Sequence, residues 1–306
     1  MALLPLLCVL LLVAAVGIGA AVTRRSPASR ETTVAAARQH AAATAAAATG
    51  LGIAAAVGTA AIGVGGDLPA SGLGTVALLV PIGFGVASTA VLLLGELTWP
   101  RPEGDVRRAR LARRGPLDVA PRWLARLAGG ALGAGALVVV LGGLLAGPDG
   151  RSVTVPAGNG RVSSTGSPFA GLHYGRPAAL GLLVLALLTA AALWVVADRP
   201  AVVTADERIE AALRRASAHR VLRGTAAATL VVTGGLIAVS GLSLHSAASS
   251  AVAGADANQL PVGTPAAALP WLGGGLAVLG LLIVLTGLVV GCVRAPGVPA
   301  DEPVAG

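Results

Sequence analysis

The side chains that could do chemistry are few, and they lie far apart in the sequence. The 306 residues include four histidines and two cysteines. His173 and His245 fall in connections that also hold aspartates, a combination that could in principle bind a metal ion. Their spacing matches no metal-ligand pattern, however, and Cys8 and Cys292 lie in the first and last apolar stretches of the chain. We therefore expect no metal site, no disulfide and no cofactor.

Two further patterns argue against an enzyme. Ser240 and His245 resemble the pair of an intramembrane serine protease, but such a pair must converge from different helices, whereas these two residues share one predicted helix end. Lysine does not occur in the chain. This excludes a Schiff base with retinal or pyridoxal phosphate and a phosphate-binding loop of the Walker type, since each needs a lysine amine. The sequence predicts no catalytic residue and no enzymatic activity.

Long apolar stretches are the elements that would have to position any site. The chain is 55% hydrophobic and only 12% charged, against about 25% charged residues in ordinary soluble domains. About 20 apolar residues are enough to cross a hydrocarbon core roughly 30 Å thick. We therefore predict an all-α, polytopic transmembrane helix bundle of about seven spans over residues 1–292, followed by a disordered cytoplasmic tail, 293–306. The predicted spans are about 3–22, 44–64, 73–97, 127–146, 178–197, 224–244 and 271–290.

Two of these spans allow a second interpretation. The first could be a signal peptide, but no basic side chain precedes its apolar core, and Arg24 and Arg25 follow it, so we interpret it as an uncleaved span. The second is mostly alanine and glycine, with few leucines, and we expect its insertion to depend on neighbouring helices.

The placement of arginine predicts the orientation of the chain. All but three of the 22 arginines fall in alternate connections, the exceptions being Arg151, Arg161 and Arg176. Because arginine-rich connections stay in the cytosol, the predicted orientation is N-out and C-in. The net charge of +8 is concentrated beside apolar spans. This favours the plasma membrane, with its anionic inner leaflet, as the partner over nucleic acid.

The end of the third span carries predicted interface anchors. Glu96, Trp99 and Arg101 lie there, and an aromatic residue with charges at that depth is typical of a membrane interface. Glu96 could pair with Arg101 or with arginines of a neighbouring loop. Anchoring is therefore the interpretation we favour for these residues over catalysis or gating.

A capping box at Thr204 lies within the third arginine-rich connection, 198–223, and predicts a helix start there. The helix that follows has apolar residues on one face, with Arg208, Arg214 and Arg215 off that face. This pattern predicts an amphipathic helix along the inner membrane surface. Its contact could be lipid or a cytosolic protein.

The longest connection on the arginine-poor side covers residues 147–177. Segments 153–155 and 161–163 flank a Gly-Asn-Gly sequence, which predicts a small hairpin. Exposed loops on a rigid scaffold often carry binding sites, and two of the seven aromatic residues of the chain follow this hairpin. The alternative is an aromatic belt that re-enters the membrane. The candidate recognition residues are Phe169, His173, Tyr174 and Arg176.

Pro81, Gly83 and Gly85 interrupt the third span. Proline lacks a backbone donor and glycine permits bending, so we expect a helix kink here. The alternative is a transporter binding site, although such sites usually show paired interruptions in two repeats. No ionisable residue lies at the midpoint of any predicted span, which argues against a proton- or sodium-coupled transporter.

Small residues recur at four-residue spacing, a pattern that lets membrane helices pack closely. Packing inside the bundle is one interpretation, and a face for homo-oligomers is the other. The pairs are Gly129/Gly133, Gly143/Gly147 and Gly287/Gly291.

Three stretches carry a resemblance to a known group of proteins. They are GELTWPRP at 95–102, SPFAGLHYGRP at 167–177 and ALRRASAHRVLRG at 212–224. These stretches resemble a group of uncharacterised multi-pass membrane proteins of high-GC actinobacteria. The resemblance covers roughly residues 90–225 and implies a plasma-membrane protein, but it implies no activity.

These observations favour a non-enzymatic scaffold, accessory or sensing component of the plasma membrane. Its arginine-poor loop would meet an envelope partner, and its arginine-rich loops would meet a cytosolic protein or anionic lipid. A transporter or permease of a small or apolar solute is the alternative, motivated by the interruption at Pro81.

Overall fold

The computed structural model describes residues 32–65, 70–99, 115, 118–201 and 207–298. Within these ranges the chain forms six long helices and one hairpin, which confirms the predicted all-α helical bundle. Each of the six helices is long and apolar enough to cross a membrane. The first predicted span, 3–22, lies outside the described residues. The elements are α1 Thr32–Gly65, α2 Ala70–Leu97, α3 Arg122–Leu145, β1 Val153–Ala157, β2 Val162–Gly166, α4 Leu172–Asp198, α5 Glu207–Ala257 and α6 Thr264–Cys292.

The surface of the bundle is apolar. Leu144, Leu187 and Trp271 are 76%, 62% and 84% exposed, and many other leucines and valines also point outward. Soluble monomers rarely expose apolar patches of this extent, and such patches mark surfaces that meet a membrane or another protein. Lipid tails are as apolar as leucine, so these side chains suit a lipid environment.

Helix α5 is the central element of the bundle. It runs unbroken through 51 residues, on the order of 75 Å, and packs against α2, α3, α4, α6 and both strands. A hydrocarbon core is only roughly 30 Å thick, so α5 extends past the predicted span 224–244 at both ends. Residues 245–257, which we expected to form a loop, are helical instead. This stretch is rich in alanine, the best helix former, and contains no proline.

Glycines bring α5 and α6 into backbone contact. Gly234 and Gly241 on α5 are seven residues apart, as are Gly273, Gly280 and Gly287 on α6, and residues at this spacing lie on one helix face. A Cβ atom built at Gly241 would lie 2.7 Å from the carbonyl oxygen of Gly273, and one at Gly280 would lie 2.6 Å from that of Gly234. No larger side chain fits at these two positions.

The segment of α2 around Pro81 packs against two neighbouring helices. Pro81 lies inside a helix that is continuous from Ala70 to Leu97. A Cβ atom at Gly83 would lie 3.0 Å from the Thr59 hydroxyl oxygen on α1. One at Gly85 would lie 2.8 Å from the Cβ atom of Ala228 on α5. The two glycines therefore serve the close approach of helices on opposite sides of α2.

The three glycine pairs differ in their surroundings. A Cβ atom at Gly143 would lie 3.0 Å from Leu172, and one at Gly147 would lie 3.2 Å from Ser152. Gly287 packs against Leu230 at 3.0 Å. Two pairs thus serve packing within the chain, whereas Gly129 and Gly133 face open space.

The predicted hairpin is present between α3 and α4. Strands β1 and β2 pair antiparallel, with Val153 opposite Gly166 and Ala157 opposite Val162. Asn159 in the turn has a φ of 53°, in the left-handed region that asparagine and glycine tolerate best. Val155 and Ala157 are buried against alanines of the last turns of α5. The hairpin therefore packs on the extension of α5 beyond its predicted span.

Candidate functional site

The two ends of the bundle differ in composition. The hairpin end holds β1 and β2, the first turns of α4 and α6 and the last turns of α5. The arginine-rich end holds the last residues of α2, α4 and α6 and the N-terminal third of α5. Polar contacts between helices occur at both ends, and the buried ion pairs of the described residues lie at the arginine-rich end.

At the hairpin end, two of the four candidate recognition residues are not accessible. Phe169 and Tyr174 are each only 7% exposed, and Tyr174 packs in an apolar cluster with Ile82 and Leu182. Burial of apolar surface explains this placement, because aromatic side chains are the largest apolar groups in this connection. His173 and Arg176 are exposed. The predicted recognition patch is therefore reduced to these two residues.

Serine hydroxyls on α5 fasten the loop that follows the hairpin. Ser243 donates to the carbonyl oxygen of Pro168 at 2.6 Å, and Ser240 accepts from the backbone N–H of Ala170 at 2.9 Å. His245 donates from Nδ1 to the carbonyl oxygen of Pro270 at 2.8 Å. Ser240 and His245 therefore bind different segments of the chain.

Asp149 orders the turn that precedes the hairpin. Its carboxylate accepts from the backbone N–H of Arg151 at 3.0 Å and from the Ser152 hydroxyl at 2.8 Å. These hydrogen bonds lower the pKa of Asp149 because they stabilise the ionised form. The turn thus holds its carboxylate in the charged state near neutral pH.

At the arginine-rich end, Glu96 pairs with Arg199, an arginine of the neighbouring loop. Nη1 of Arg199 donates to the Glu96 carboxylate at 2.7 Å, and the two side chains are 2% and 9% exposed. The guanidinium also lies over the ring of Trp99, 3.6 Å from its centroid. Trp99 is buried and contacts the His40 ring edge to face at 5.6 Å. Arg101, the third predicted anchor, lies outside the described residues.

Arg214 joins α5 to the end of α4. Its Nε donates to Glu210 at 2.7 Å. Its terminal nitrogens donate to the carbonyl oxygens of Val196 at 3.1 Å, Ala197 at 2.6 Å and Arg199 at 2.6 Å. The last carbonyls of a helix lack helical partners and carry partial negative charge, so a guanidinium there is stabilising.

This arrangement corrects the prediction for the amphipathic helix. Arg214 and Glu210 are buried, whereas Arg208 and Arg215 are exposed. The apolar pattern placed Arg214 off the buried face, but the α4 carbonyls and Glu210 supply the partners that its burial requires. The segment is also continuous with the rest of α5 rather than a separate surface helix. Helix α5 begins at Glu207, and the predicted cap at Thr204 lies outside the described residues.

Further hydrogen bonds connect the remaining helices at this end. Nε2 of His40 on α1 donates to the carbonyl oxygen of Gly95 on α2 at 2.8 Å. Arg223 on α5 donates to the carbonyl oxygen of Val293, just after α6, at 2.8 Å. Val293 belongs to the stretch expected to be a disordered tail, of which residues 293–298 are described and Val298 packs on the cluster around Trp99.

A shallow groove of about 360 Å³ runs between α1 and α2 beside His40. Its walls are mainly apolar and open toward the outside of the bundle. The lining residues are His40, Ala43, Thr44, Ala47, Val91, Leu94, Gly95 and Thr98.

Among the described residues, the groups that act on Arg199 carry both signs of charge. Glu96, Glu210, Arg214 and Arg220 are the charged groups that act on it. Burial lowers the pKa of Arg199, although Glu96 and Glu210 oppose this shift. Nε and Nη2 of Arg199 are buried and have no hydrogen-bond acceptor among the described residues. The described residues therefore satisfy only part of the hydrogen-bonding capacity of this guanidinium.

Sequence reasoning missed a row of threonines in the centre of the bundle. Thr225, Thr229 and Thr233 follow one another at four-residue spacing on α5, and all three are buried. The Thr225 hydroxyl lies 2.6 Å from that of Thr189 on α4. The hydroxyls of Thr229 and Thr233 have no hydrogen-bond partner within the described part of the chain, and neither has that of Thr89 on α2. The four-residue spacing was visible in the sequence.

Among the residues that the structure describes, no three histidine, cysteine or acidic side chains cluster closely enough to hold a metal ion. Comparison of the chain with protein-family models, curated proteins and solved structures found no match.

Proposed function

We propose that the protein is a non-enzymatic scaffold, accessory or sensing component of the plasma membrane, threaded N-out and C-in. The observation that supports this proposal is the set of hydrogen bonds that join neighbouring elements at both ends of the bundle. At the arginine-rich end, hydrogen bonds link α1 to α2, α2 to the end of α4, α4 to α5, and α5 to the end of α6. At the hairpin end, Ser240 and Ser243 fasten the loop to α5.

A bundle whose helices are joined by hydrogen bonds at both ends is better suited to a rigid scaffold than to a transporter. Alternating access requires one group of helices to rock against another. Such motion would separate the buried pair of Glu96 and Arg199, whose charges are far less stable apart in a buried environment. The exposed residues His173 and Arg176 at one end, and Arg208 and Arg215 at the other, would then be the surfaces offered to partners.

The threonine row favours the second candidate, a transporter or permease of a small solute. Hydroxyls without partners in an apolar interior are unfavourable and are often retained for function. Thr229 and Thr233 lie on the part of α5 that crosses the predicted hydrocarbon core. Thr89 lies on α2, on the C-terminal side of Pro81. A polar solute passing along α5 would satisfy these hydroxyls in turn.

Solute flux in proteoliposomes separates the two functions. For a scaffold, we expect flux of a panel of small neutral and amphipathic solutes to equal that of protein-free liposomes. A transporter would carry one solute class selectively. Thr229→Val would slow that flux because it removes a buried hydroxyl, whereas Thr286→Val would leave it unchanged, since Thr286 is exposed on α6. Selective flux with this difference between variants would contradict the scaffold proposal.

Photo-crosslinking in cells tests the scaffold directly. A crosslinking amino acid at His173 or Arg215 is expected to give a protein adduct of defined mass from at least one position. The same residue at Leu144, which is 76% exposed on the lipid-facing surface, should give none. Absence of a protein adduct from both end positions would count against a partner-binding role.

A further inference from the structure

The groove between α1 and α2 is an apolar surface that the described residues leave open. Its floor is the close approach of the two helices, where Gly95 lies against Thr44 and His40 donates to the Gly95 carbonyl oxygen at 2.8 Å. Its sides are formed by Ala47 of α1, which is exposed, and Leu94 of α2, which is 60% exposed. The volume of about 360 Å³ leaves room beside these side chains for part of another apolar element.

Helix α1 depends on such an element more than the other helices do. Among the six described helices it has the lowest mean hydropathy, 1.7, and it packs mainly on α2. Alanine and glycine make up most of its sequence, and these residues contribute little to the transfer of a helix from water into lipid. They do let a second helix approach closely, which stabilises the association of membrane helices. The outer face of α1 is therefore suited to another helix.

The apolar stretch 3–22 lies outside the described residues, and its sequence complements this surface. Seven of residues 3–12 are leucine, whereas residues 13–22 contain no leucine and six alanines and glycines. The half made of small residues is the one nearer to α1 in the chain. Because small residues on two facing helices permit the closest packing, this half matches Ala43 and Ala47 on the side of the groove.

The length of the connection places this half beside the groove. Residues 23–31 separate the stretch from Thr32, the first residue of α1, and a connection of this length spans at most about 30 Å. Ala43 lies about 16 Å along α1 from Thr32. A chain that turns back over so short a connection stays close to α1. Such a tether raises the effective concentration of the stretch at the groove into about the millimolar range.

We propose that the stretch 3–22 crosses the membrane antiparallel to α1 and that its alanine- and glycine-rich half, residues 13–22, occupies the groove between α1 and α2. The stretch is then a helix of the bundle rather than a cleaved signal peptide. It covers the exposed alanines of α1 and holds this weakly apolar helix in the membrane. The packing does not depend on whether the protein is a scaffold or a transporter.

Disulfide cross-linking in native membranes tests this packing in the full chain. In a chain with Cys8→Ser and Cys292→Ser, Ala47→Cys is combined in turn with single cysteines at positions 13–22. We expect cross-links at every third or fourth of these positions, because one face of a helix would meet the groove. Thr49→Cys is the matched control, since Thr49 is exposed at nearly the same depth but does not line the groove. It should give no cross-link.

Digestion with trypsin identifies the linked segments. Cleavage after Arg25 and Arg38 separates the N-terminal peptide from the peptide that holds residue 47, so only a disulfide keeps them together. Electrophoresis without reductant, before digestion, distinguishes a link within one chain from a link between two copies. A link within one chain, formed from position 47 and not from position 49, is the expected result.

A nitroxide attached at position 47 or 49 tests for other occupants of the groove. Molecular oxygen dissolves in lipid tails, so a nitroxide covered by a helix at position 47 should collide with oxygen less often than one at position 49. Equal collision rates, with no cross-link, would assign the groove to lipid chains and overturn the proposal. Disulfide-linked dimers would assign it to a second copy, with the same consequence. Equal cross-linking from position 49, or a mature protein whose mass lacks residues 1–22, would overturn it as well.

Discussion

Replacing Arg214 with leucine is expected to lower the free energy of unfolding by about 3–5 kcal/mol. Arg214 is 4% exposed and donates to the Glu210 carboxylate and to three carbonyl oxygens at the end of α4. Leucine would fill much of the same volume but would remove the cation that balances Glu210. It would also leave the α4 carbonyls without these donors, so the end of α4 should separate from α5.

The neighbouring arginine provides a matched control. Arg215 is exposed, and Arg215→Leu should change the free energy of unfolding by no more than about 0.5 kcal/mol. Unfolding by a denaturing detergent in mixed micelles, followed by helical circular dichroism, measures both variants. If Arg214→Leu were as stable as Arg215→Leu, the contacts between Arg214 and α4 could not be what fastens this end of the bundle.

Gly241→Leu is expected to separate α6 from α5 and to destabilise the protein by about 3 kcal/mol or more. Overpacking typically costs about 1–3 kcal/mol when side chains can move aside. At Gly241 the opposing atoms are backbone: a Cβ atom there would lie 2.7 Å from the carbonyl oxygen of Gly273 and 2.9 Å from the carbonyl carbon of Leu276. The helices themselves would have to move, and the contacts around Gly234 and Gly280 would be lost with them.

A disulfide assay reads this separation directly. The Cβ atom of Ala227 lies 3.5 Å from a Cβ atom built at Gly291, within the range of disulfides. In a chain that carries Cys8→Ser and Cys292→Ser, the pair Ala227→Cys and Gly291→Cys should cross-link on mild oxidation. Adding Gly241→Leu should abolish the cross-link.

Gly275→Leu is the control for this assay, because Gly275 on α6 faces open space. The cross-link should form in this variant as in the parent. Efficient cross-linking in Gly241→Leu would show that the helices tolerate a side chain between them, and the close packing of α5 on α6 would be refuted.

Local features of this fold were predictable from the sequence. The apolar stretches located the helices, because about 20 apolar residues are needed whatever the neighbours are. The hairpin was predictable for a similar reason: a Gly-Asn-Gly sequence favours positive φ angles, and Asn159 adopts one. In both cases the determining interactions lie within a few residues of each other.

The charged cluster was not predictable in the same way. Glu96 and Arg199 are 103 residues apart, and nothing in either segment selects the other. The apolar pattern misplaced Arg214 because its burial depends on the end of α4. Phe169 and Tyr174 are candidate recognition residues in the sequence because they lie in a connection, yet both are buried, and Tyr174 packs against residues of α2, α4 and α5. The candidate site depends on such distant contacts, so only its composition was foreseeable.

Labelling of two single-cysteine variants in intact cells tests the proposed orientation of the chain in the membrane, on which this account depends. Ser163 is exposed on β2 and Gly297 is exposed after α6, and three helices separate the two positions. With Cys8 and Cys292 replaced by serine, Ser163→Cys should react with a membrane-impermeant maleimide in intact cells. Gly297→Cys should react only after permeabilisation. Labelling of Gly297→Cys in intact cells, with Ser163→Cys protected, would place the arginine-rich end outside and contradict the account.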